Sequence, residues 1–355
     1  MLIFKKLKQE NNYLSSILFA MILVGYAIFA GITTVFGVED ASLSIIYRLI
    51  ILVVASVLLF KAWVNHGSRV NYGFLIGASF LFFYITRMFF EWLFNSHGSK
   101  LDWSDFWLFL ILVCLVPALP YVWKGNIPNE SFTPVVVIIF GIIGLILNLY
   151  YISRVGDLSI RDQMLSGRLE GERLNPIAYG HLGVSTVLVS LWVLIIRKKI
   201  NILTISGVVV GVLGVLASGS RGPFLSLVVC LVLIFMQLKL RAVSFIAVSV
   251  AICVAIIILS GFASEFDDIL IWDRVRNSLF DDDSRNQILS DAYHAFLDNI
   301  ISGAGYPFGV YPHNIVMEAF MTSGIIGGVL MVVTLAAGVV ASLRLLKNKE
   351  FSWVS

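Results

Sequence analysis

Charge is what this chain has least of. Only 13% of its 355 residues are Asp, Glu, Lys or Arg, and 59% are hydrophobic; water-soluble domains carry about a quarter charged residues. With a mean hydropathy of +0.92, a soluble fold would expose wide apolar patches, so the bilayer is the natural solvent. Cysteine chemistry is nearly absent as well. Cys114, Cys230 and Cys253 all sit inside apolar runs, which excludes a disulfide framework or a thiolate metal site and leaves them as small residues between helices. Asp281-Asp282-Asp283 has no second acidic cluster to match it. Three adjacent acids cannot all face one ion on a helix, so the run is a solvated or helix-start charge, and neither metal nor cofactor is expected. The Gly-x-Ser-Gly pattern of an intramembrane serine protease is missing. So is a cleavable signal peptide: 1–12 is basic, but the first apolar run is of span length and lacks a small-residue cleavage site. No nucleic-acid partner is expected.

What the chain does have is a series of apolar runs, each near the roughly 20 residues that cross a hydrocarbon core as a helix. They predict an all-α, polytopic membrane protein of about ten transmembrane helices. The first five spans fall at 13–36, 42–64, 72–94, 105–123 and 133–152. The second five fall at 176–196, 201–218, 222–238, 242–262 and 315–346, the last being long enough to tilt or to begin above the membrane. The chain reads as a single membrane domain over 1–355, with a large outer loop at 263–314. Lysine orients it. Lys5, Lys6 and Lys8 precede the first span, and Lys61 with Arg69, Lys124, Arg197 to Lys199, and Lys239 with Arg241 fall on alternate loops. Arg344, Lys347 and Lys349 mark the other end. Every short basic loop agrees with one topology, in which both termini are cytoplasmic.

The outer face is nearly empty of lysine. Its basic residues are Arg154, Arg161, Arg168, Arg173, Arg221, Arg274, Arg276 and Arg285, with Lys100 set among acids. Lysine suffices to hold topology, whereas arginine makes planar two-pronged contacts with phosphate or carboxylate. The segregation points to an anionic ligand handled outside, although Asp157, Asp162, Glu170 and Glu172 are near enough in sequence to pair with some of these arginines.

Four segments carry candidate chemistry. Ser218-Gly219-Ser220-Arg221-Gly222-Pro223 is a very short outer turn between two spans. Its arginine has almost no loop to snorkel along, its glycines let a ligand approach the backbone, and Pro223 suits a first helical turn. An arginine bound to lipid headgroups is the bland alternative. Arg168-Leu-Glu-Gly171-Glu-Arg173-Leu-Asn175-Pro176 runs into a span holding Tyr179, Gly180 and His181; its arginines alternate with glutamates, so self-pairing competes with ligand binding. In the large loop, Asp283-Ser284 offers a helix cap. Ile288, Leu289, Ala292, Tyr293, Phe296, Leu297 and Ile300 then recur at helical spacing. Arg285 extends that stripe and is expected to point into the protein; the helix ends at Ser302-Gly303-Ala304-Gly305-Tyr306. The fourth segment is Pro312-His313-Asn314-Ile315, followed by Glu318, Gly324, Gly327 and Gly328. His313 sits at the membrane lip, where imidazole exchanges protons near neutral pH, and Asn314 is placed to cap the last span. A purely interfacial histidine is equally compatible with the residues. Within the third span, Arg87 and Glu91 lie one turn apart and most simply form an ion pair; Arg48 is also intramembrane.

Taken in order, these segments resemble the O-antigen polymerase and ligase family of bacterial envelope glycosyltransferases. The resemblance rests on Ser-Gly-Ser-Arg-Gly at 218–222, Arg285 heading a helix that ends Gly303-Ala304-Gly305, Pro-His-Asn at 312–314, Glu318, and Gly-Ile-Ile-Gly-Gly at 324–328. Arg168 and Gly171 before Asn175-Pro176 look like the family's earlier outer loop. A clear pair of arginine-ten-residue-glycine loops, described for some polymerases, is lacking. The resemblance implies a GT-C-like, metal-independent glycosyltransferase of the cytoplasmic (inner) membrane with its site on the outer side. The donor it implies is a glycan on undecaprenyl diphosphate, and the acceptor another lipid-linked glycan. Arg221 and Arg285 would bind the diphosphate. Arg168 would join the phosphate or glycan site, with Arg173, Asn314 and Tyr306 as further substrate contacts. His313 would act as acid/base or as a contact to the diphosphate or acceptor hydroxyl. A chain-length regulator would be a protein partner, and membrane lipids surround the whole.

Two neighbouring readings remain. Within the family, a ligase would move finished glycan onto lipid A-core; the short chain and modest outer loop point instead to a polymerase. Outside it, a lipid-linked glycan transporter predicts ionisable residues near the midplane and discontinuous helices in paired halves. Here few charges lie in the spans and the notable residues gather at the outer rim.

Overall fold

The computed structural model describes residues 13–35, 41–65, 72–94, 115–122, 128–155, 176–195, 197–218, 220–238, 283–305 and 314–347. Among these the regular structure is helical throughout, without strands. Residues 13–35 form α1, with a π-helical turn at Met21–Gly25. Then come α2 (Ala41–Asn65), α3 (Tyr72–Phe94), α4 (Phe132–Val155), α5 (Pro176–Ile195), α6 (Ile202–Ala217), α7 (Arg221–Leu238), α8 (Asp283–Asp298) and α9 (Ile315–Lys347). Five helices among the described residues are long and apolar enough to cross a membrane: Tyr13–Ile32, Ile45–Val64, Phe132–Tyr150, Pro176–Ile195 and Ile315–Arg344. Ser79–Phe90, Ile202–Ala217 and Gly222–Val232 are shorter apolar helices. Of the remaining expected spans, 105–123 is described only over 115–122, as short helical turns, and 242–262 lies outside the described residues.

The chain divides into two compact units, Met1–Leu58 with Asn126–Arg276 and Leu345–Ser355, and Leu59–Gly125 with Asn277–Arg344. In the first unit α4 and α5 are the inner helices, packed against α1, α6 and α7. Their starts are chemically marked. Asn129 turns its carboxamide oxygen to the amides of Ser131 and Phe132 at 3.0 and 2.9 Å. Asn201 and Thr204 form a reciprocal capping box at the head of α6. Small residues let these helices approach closely. A Cβ on Gly183 would come within 2.6 Å of the Gly211 carbonyl oxygen, and one on Gly211 within 2.6 Å of Val187. Buried polar groups tie the same helices together. Thr133 donates to Ser16 Oγ at 2.7 Å, and Asn148 donates to the carbonyls of Ala27 and Gly144 at 2.9 and 2.7 Å. Facing outward are large apolar side chains, among them Val53, Val209 and Leu225, 60%, 52% and 63% exposed. Such a surface belongs against lipid tails.

In the second unit α3 lies antiparallel to α9. A Cβ on Gly77 would touch Thr334 at 3.7 Å, and one on Gly327 would meet Phe83 at 3.2 Å. α9 is broken at Gly324, whose φ of 66° and ψ of −165° lie far from helical values. In an unbroken helix the Ile325 amide would donate to the Met321 carbonyl. The turn after α8 separates them: Ile325 donates to the Ile300 carbonyl and the Met321 carbonyl accepts from the Ala304 amide, both at 2.7 Å. Both of these groups are thus paired across the break, the condition for irregular backbone inside a membrane protein.

Candidate functional site

Of the two places where the sequence motifs fall, the first is the turn between α6 and α7. Ser218 is fully buried. Its hydroxyl donates to the Val215 carbonyl at 2.7 Å and accepts from the Ser220 amide at 3.2 Å. One side chain thus ends α6 and restarts the chain within two residues. Ser220 then accepts the Phe224 amide at 3.5 Å, so Arg221 is the first residue of α7. Pro223 is buried in the first turn, where its missing N–H costs nothing. The turn is braced by α5: a Cβ on Gly180 would lie 2.6 Å from Pro223 Cγ and 2.7 Å from Ser218 Oγ. The entrance of α5 at Pro176 therefore lies beside the arginine turn, and the 156–175 segment carrying Arg168 and Arg173 leads into it. Gly222 is different. Among the described residues nothing lies within 4 Å of a Cβ built on it, so no described side chain covers the first turn of α7 next to Arg221. The Arg221 side chain itself is outside the described residues, as are Arg168 and Arg173. His181, one residue past Gly180, is exposed on α5 rather than packed in its core.

The second place is the junction of α8 and α9. Ala292 and Ala295 are buried, forming a cluster with Ala304 and Met321. Phe296 packs edge-on to Phe320 with ring centroids 5.3 Å apart. The apolar stripe read from the sequence is wider than the buried strip. Leu289, Tyr293, Leu297 and Ile300 remain 41%, 50%, 41% and 44% exposed. Leu289, Ser290 and Tyr293 instead line a groove of about 620 Å³ with Asn314, Val316, Met317 and Phe320. At helical spacing, Arg285 falls on the border between the buried strip and this groove; its side chain lies outside the described residues.

Asn314 is the cap that the sequence suggested. Its carboxamide oxygen accepts from the amides of Val316 and Met317 at 3.1 and 3.2 Å, while its carbonyl accepts from Glu318 at 2.8 Å. His313 and Tyr306 lie outside the described residues, although each directly adjoins a placed residue, Asn314 and Gly305.

One contact was not legible in the sequence. The half-buried Arg87 guanidinium donates from Nε to the Ser302 carbonyl at 2.6 Å and from Nη2 to the Gly303 carbonyl at 3.4 Å. The local reading pairs Arg87 with Glu91, whose side chain is outside the described residues. The only signal for the longer contact is an arginine near the outer end of a span and a glycine-rich helix end elsewhere. An arginine in a span costs about 2.5–3.5 kcal/mol at mid-membrane on insertion scales, and backbone carbonyls of a turn outside any helix are a natural partner for it. At the opposite end of the first unit, Arg197 pairs with Glu130 at 2.5 Å and lies over the Trp192 ring.

Residues 206–332 match the family model described as O-Antigen ligase. The match bears out the resemblance to the O-antigen polymerase and ligase family. It begins within α6 and takes in the Arg221 turn, Arg285, Tyr306, His313, Asn314 and the break at Gly324; Arg168 and Arg173 lie before it. No curated protein and no solved structure matches the chain.

Proposed function

We propose that this chain, which carries the O-antigen ligase family segment at 206–332, is a surface-polysaccharide polymerase of the cytoplasmic membrane, with ten spans in a GT-C-like arrangement and its site on the outer side. The observation that carries the reading is the order of motifs inside that segment. A buried-serine turn presents Arg221 beside Gly222, which no described side chain covers, and a capped helix follows directly on His313. In the proposed reaction the acceptor hydroxyl attacks the anomeric carbon of the donor glycan. The bond from that carbon to the diphosphate breaks, and undecaprenyl diphosphate leaves with the electron pair. Arg221 and Arg285 take up the growing negative charge, as preorganised donors do without a metal, and Arg168 joins them on phosphate or glycan. His313 accepts the hydroxyl proton or orients that hydroxyl. Arg173, Tyr306 and the side-chain amide of Asn314 contact the glycan. A chain-length regulator is the protein partner this activity calls for.

A ligase is the second reading, favoured by the wording of the family description itself. One experiment separates the readings. The full chain in lipid nanodiscs is given lipid-linked single repeat units, with and without lipid A-core. A ladder of lengthening glycan on the carrier supports the polymerase. Single transfers onto lipid A-core without a ladder identify a ligase, and translocation with neither product overturns both.

A further inference from the structure

We infer that Arg87 is a positioning residue: its guanidinium anchors the C-terminal end of α8 and thereby sets where that helix presents Arg285. The inference rests on the proposed role of Arg285 at the donor diphosphate. α8 packs on α9 through Ala292, Ala295 and Phe296, and the turn that follows it is held by a small set of hydrogen bonds. The carbonyls of that turn find three partners. Gly303 donates to the Asn299 carbonyl at 2.8 Å, Ile325 donates to Ile300 at 2.7 Å, and Arg87 donates to Ser302 and Gly303. The first two bonds come from the backbone, and any sequence able to make the turn retains them. Arg87 is the side chain that adds a charge, brought from a helix 215 residues away in sequence. Two of its nitrogens meet two consecutive carbonyls, a spacing the planar guanidinium matches and a lysine ammonium does not.

The turn it holds has little freedom to adjust. Gly303 has φ 72° and Gly324 φ 66°, and each occupies the space a Cβ of the other segment's neighbour would need: a Cβ on Gly324 would fall on the Ile301 carbonyl, and one on Gly303 on the Thr322 carbonyl. The close approach of the two glycines seats Ala304 against Met321 in the buried cluster, and the Arg87 clamp across the carbonyls adds a side-chain hold on that register. Loosening it would let α8 shift along α9. Such a shift moves Arg285, in the first turn of α8, relative to the groove lined by Leu289, Tyr293 and Met317.

The test uses the full chain in nanodiscs with lipid-linked repeat units, comparing Arg87→Lys and Arg87→Ala in the wild-type and Arg285→Lys backgrounds. Arg87→Lys is expected to lower kcat about tenfold with KM within about twofold, and Arg87→Ala to lower kcat about a hundredfold. In the Arg285→Lys background the Arg87→Ala loss should shrink below about threefold, because residues that act through one another are not additive. Hydrogen exchange, read without activity, should speed up in Arg87→Ala at 300–305 and 321–325 and stay unchanged along α5 and α6. Multiplicative losses in the double variant, wild-type kcat, or unchanged exchange at the turn each overturn the inference. No glycan growth by the wild-type protein would instead sink the proposed function, and full activity of Arg285→Lys the role of Arg285.

Discussion

Gly180 and Gly222 show how differently two glycines serve the same arginine turn. Gly180 is enclosed: a Cβ there would press on Pro223 and Ser218 at 2.6 and 2.7 Å. Gly180→Ala should therefore destabilise the protein by about 1–3 kcal/mol, the usual cost of overpacking, and displace the turn with it. Gly222 has nothing within 4 Å among the described residues. Alanine there should leave thermal stability in detergent unchanged, or raise it by up to about 1 kcal/mol through helix propensity. It should nonetheless reduce glycan transfer at least tenfold, because a methyl group would stand where the lipid diphosphate approaches the backbone. Unfolding midpoints and transfer rates on the two variants check the contrast; an active Gly222→Ala protein would place the ligand elsewhere. That contrast could not be read from the motifs, since Gly180 and Gly222 look alike in one dimension. Ser218, by contrast, is buried and closes the turn through its hydroxyl.

At the scale of the element, α9 is two helices joined at Gly324. Hydropathy sees one run, because every residue around the break is apolar or small. The portion from 325 to 347 is roughly 34 Å long at about 1.5 Å per residue, enough by itself to cross a core of about 30 Å. That leaves the segment from Asn314 to Ser323 to carry α8, and it gives a structural meaning to a run expected to be overlong. A transporter also breaks its helices, but there the freed groups face an ion or substrate; here the freed amide and carbonyl are both taken by the turn at 300–304. Gly324→Ala should undo this. The positive φ alone costs of the order of 1–3 kcal/mol for a residue with a side chain, and the added carbon would collide with Ile301. The expected outcome is loss of the α8–α9 contact, seen as rapid proteolysis within 283–313, with α4 to α6 still protected. Protection of the loop equal to wild type would show that the break tolerates a side chain. α8 itself was legible as an amphipathic helix, but which edge of its stripe is buried was not. Leu289 and Ala292 are equally apolar in sequence, and only the packing partner, Met321, distinguishes them.

For the whole molecule, the lysine pattern makes a prediction that the first unit's geometry supports. Glu130 and Arg197 come from two loops read as cytoplasmic, and they form an ion pair. Tyr13, just after the basic N-terminal stretch, packs edge-on to Phe132 at 5.0 Å beside the same loop. Single cysteines at Ser131 and Asn201, in a background with Cys114, Cys230 and Cys253 replaced, should be labelled by an impermeant maleimide only from the cytoplasmic side. One at Asp291 should be labelled only from outside; the reverse pattern would invert the protein. The membrane class, the helical runs, the basic face and the arginine turn followed from the sequence alone, because hydropathy and charge are properties of short stretches that add along the chain. The sequence also carried the family resemblance, since it depends on the order of motifs. Only the tertiary structure decided that Arg87 reaches Ser302 and Gly303, that α9 exchanges backbone bonds with the turn after α8, and that no described side chain covers Gly222 while Gly180 is enclosed. Those are consequences of which helix docks on which, and a backbone carbonyl looks the same in every residue until a partner arrives from far along the chain.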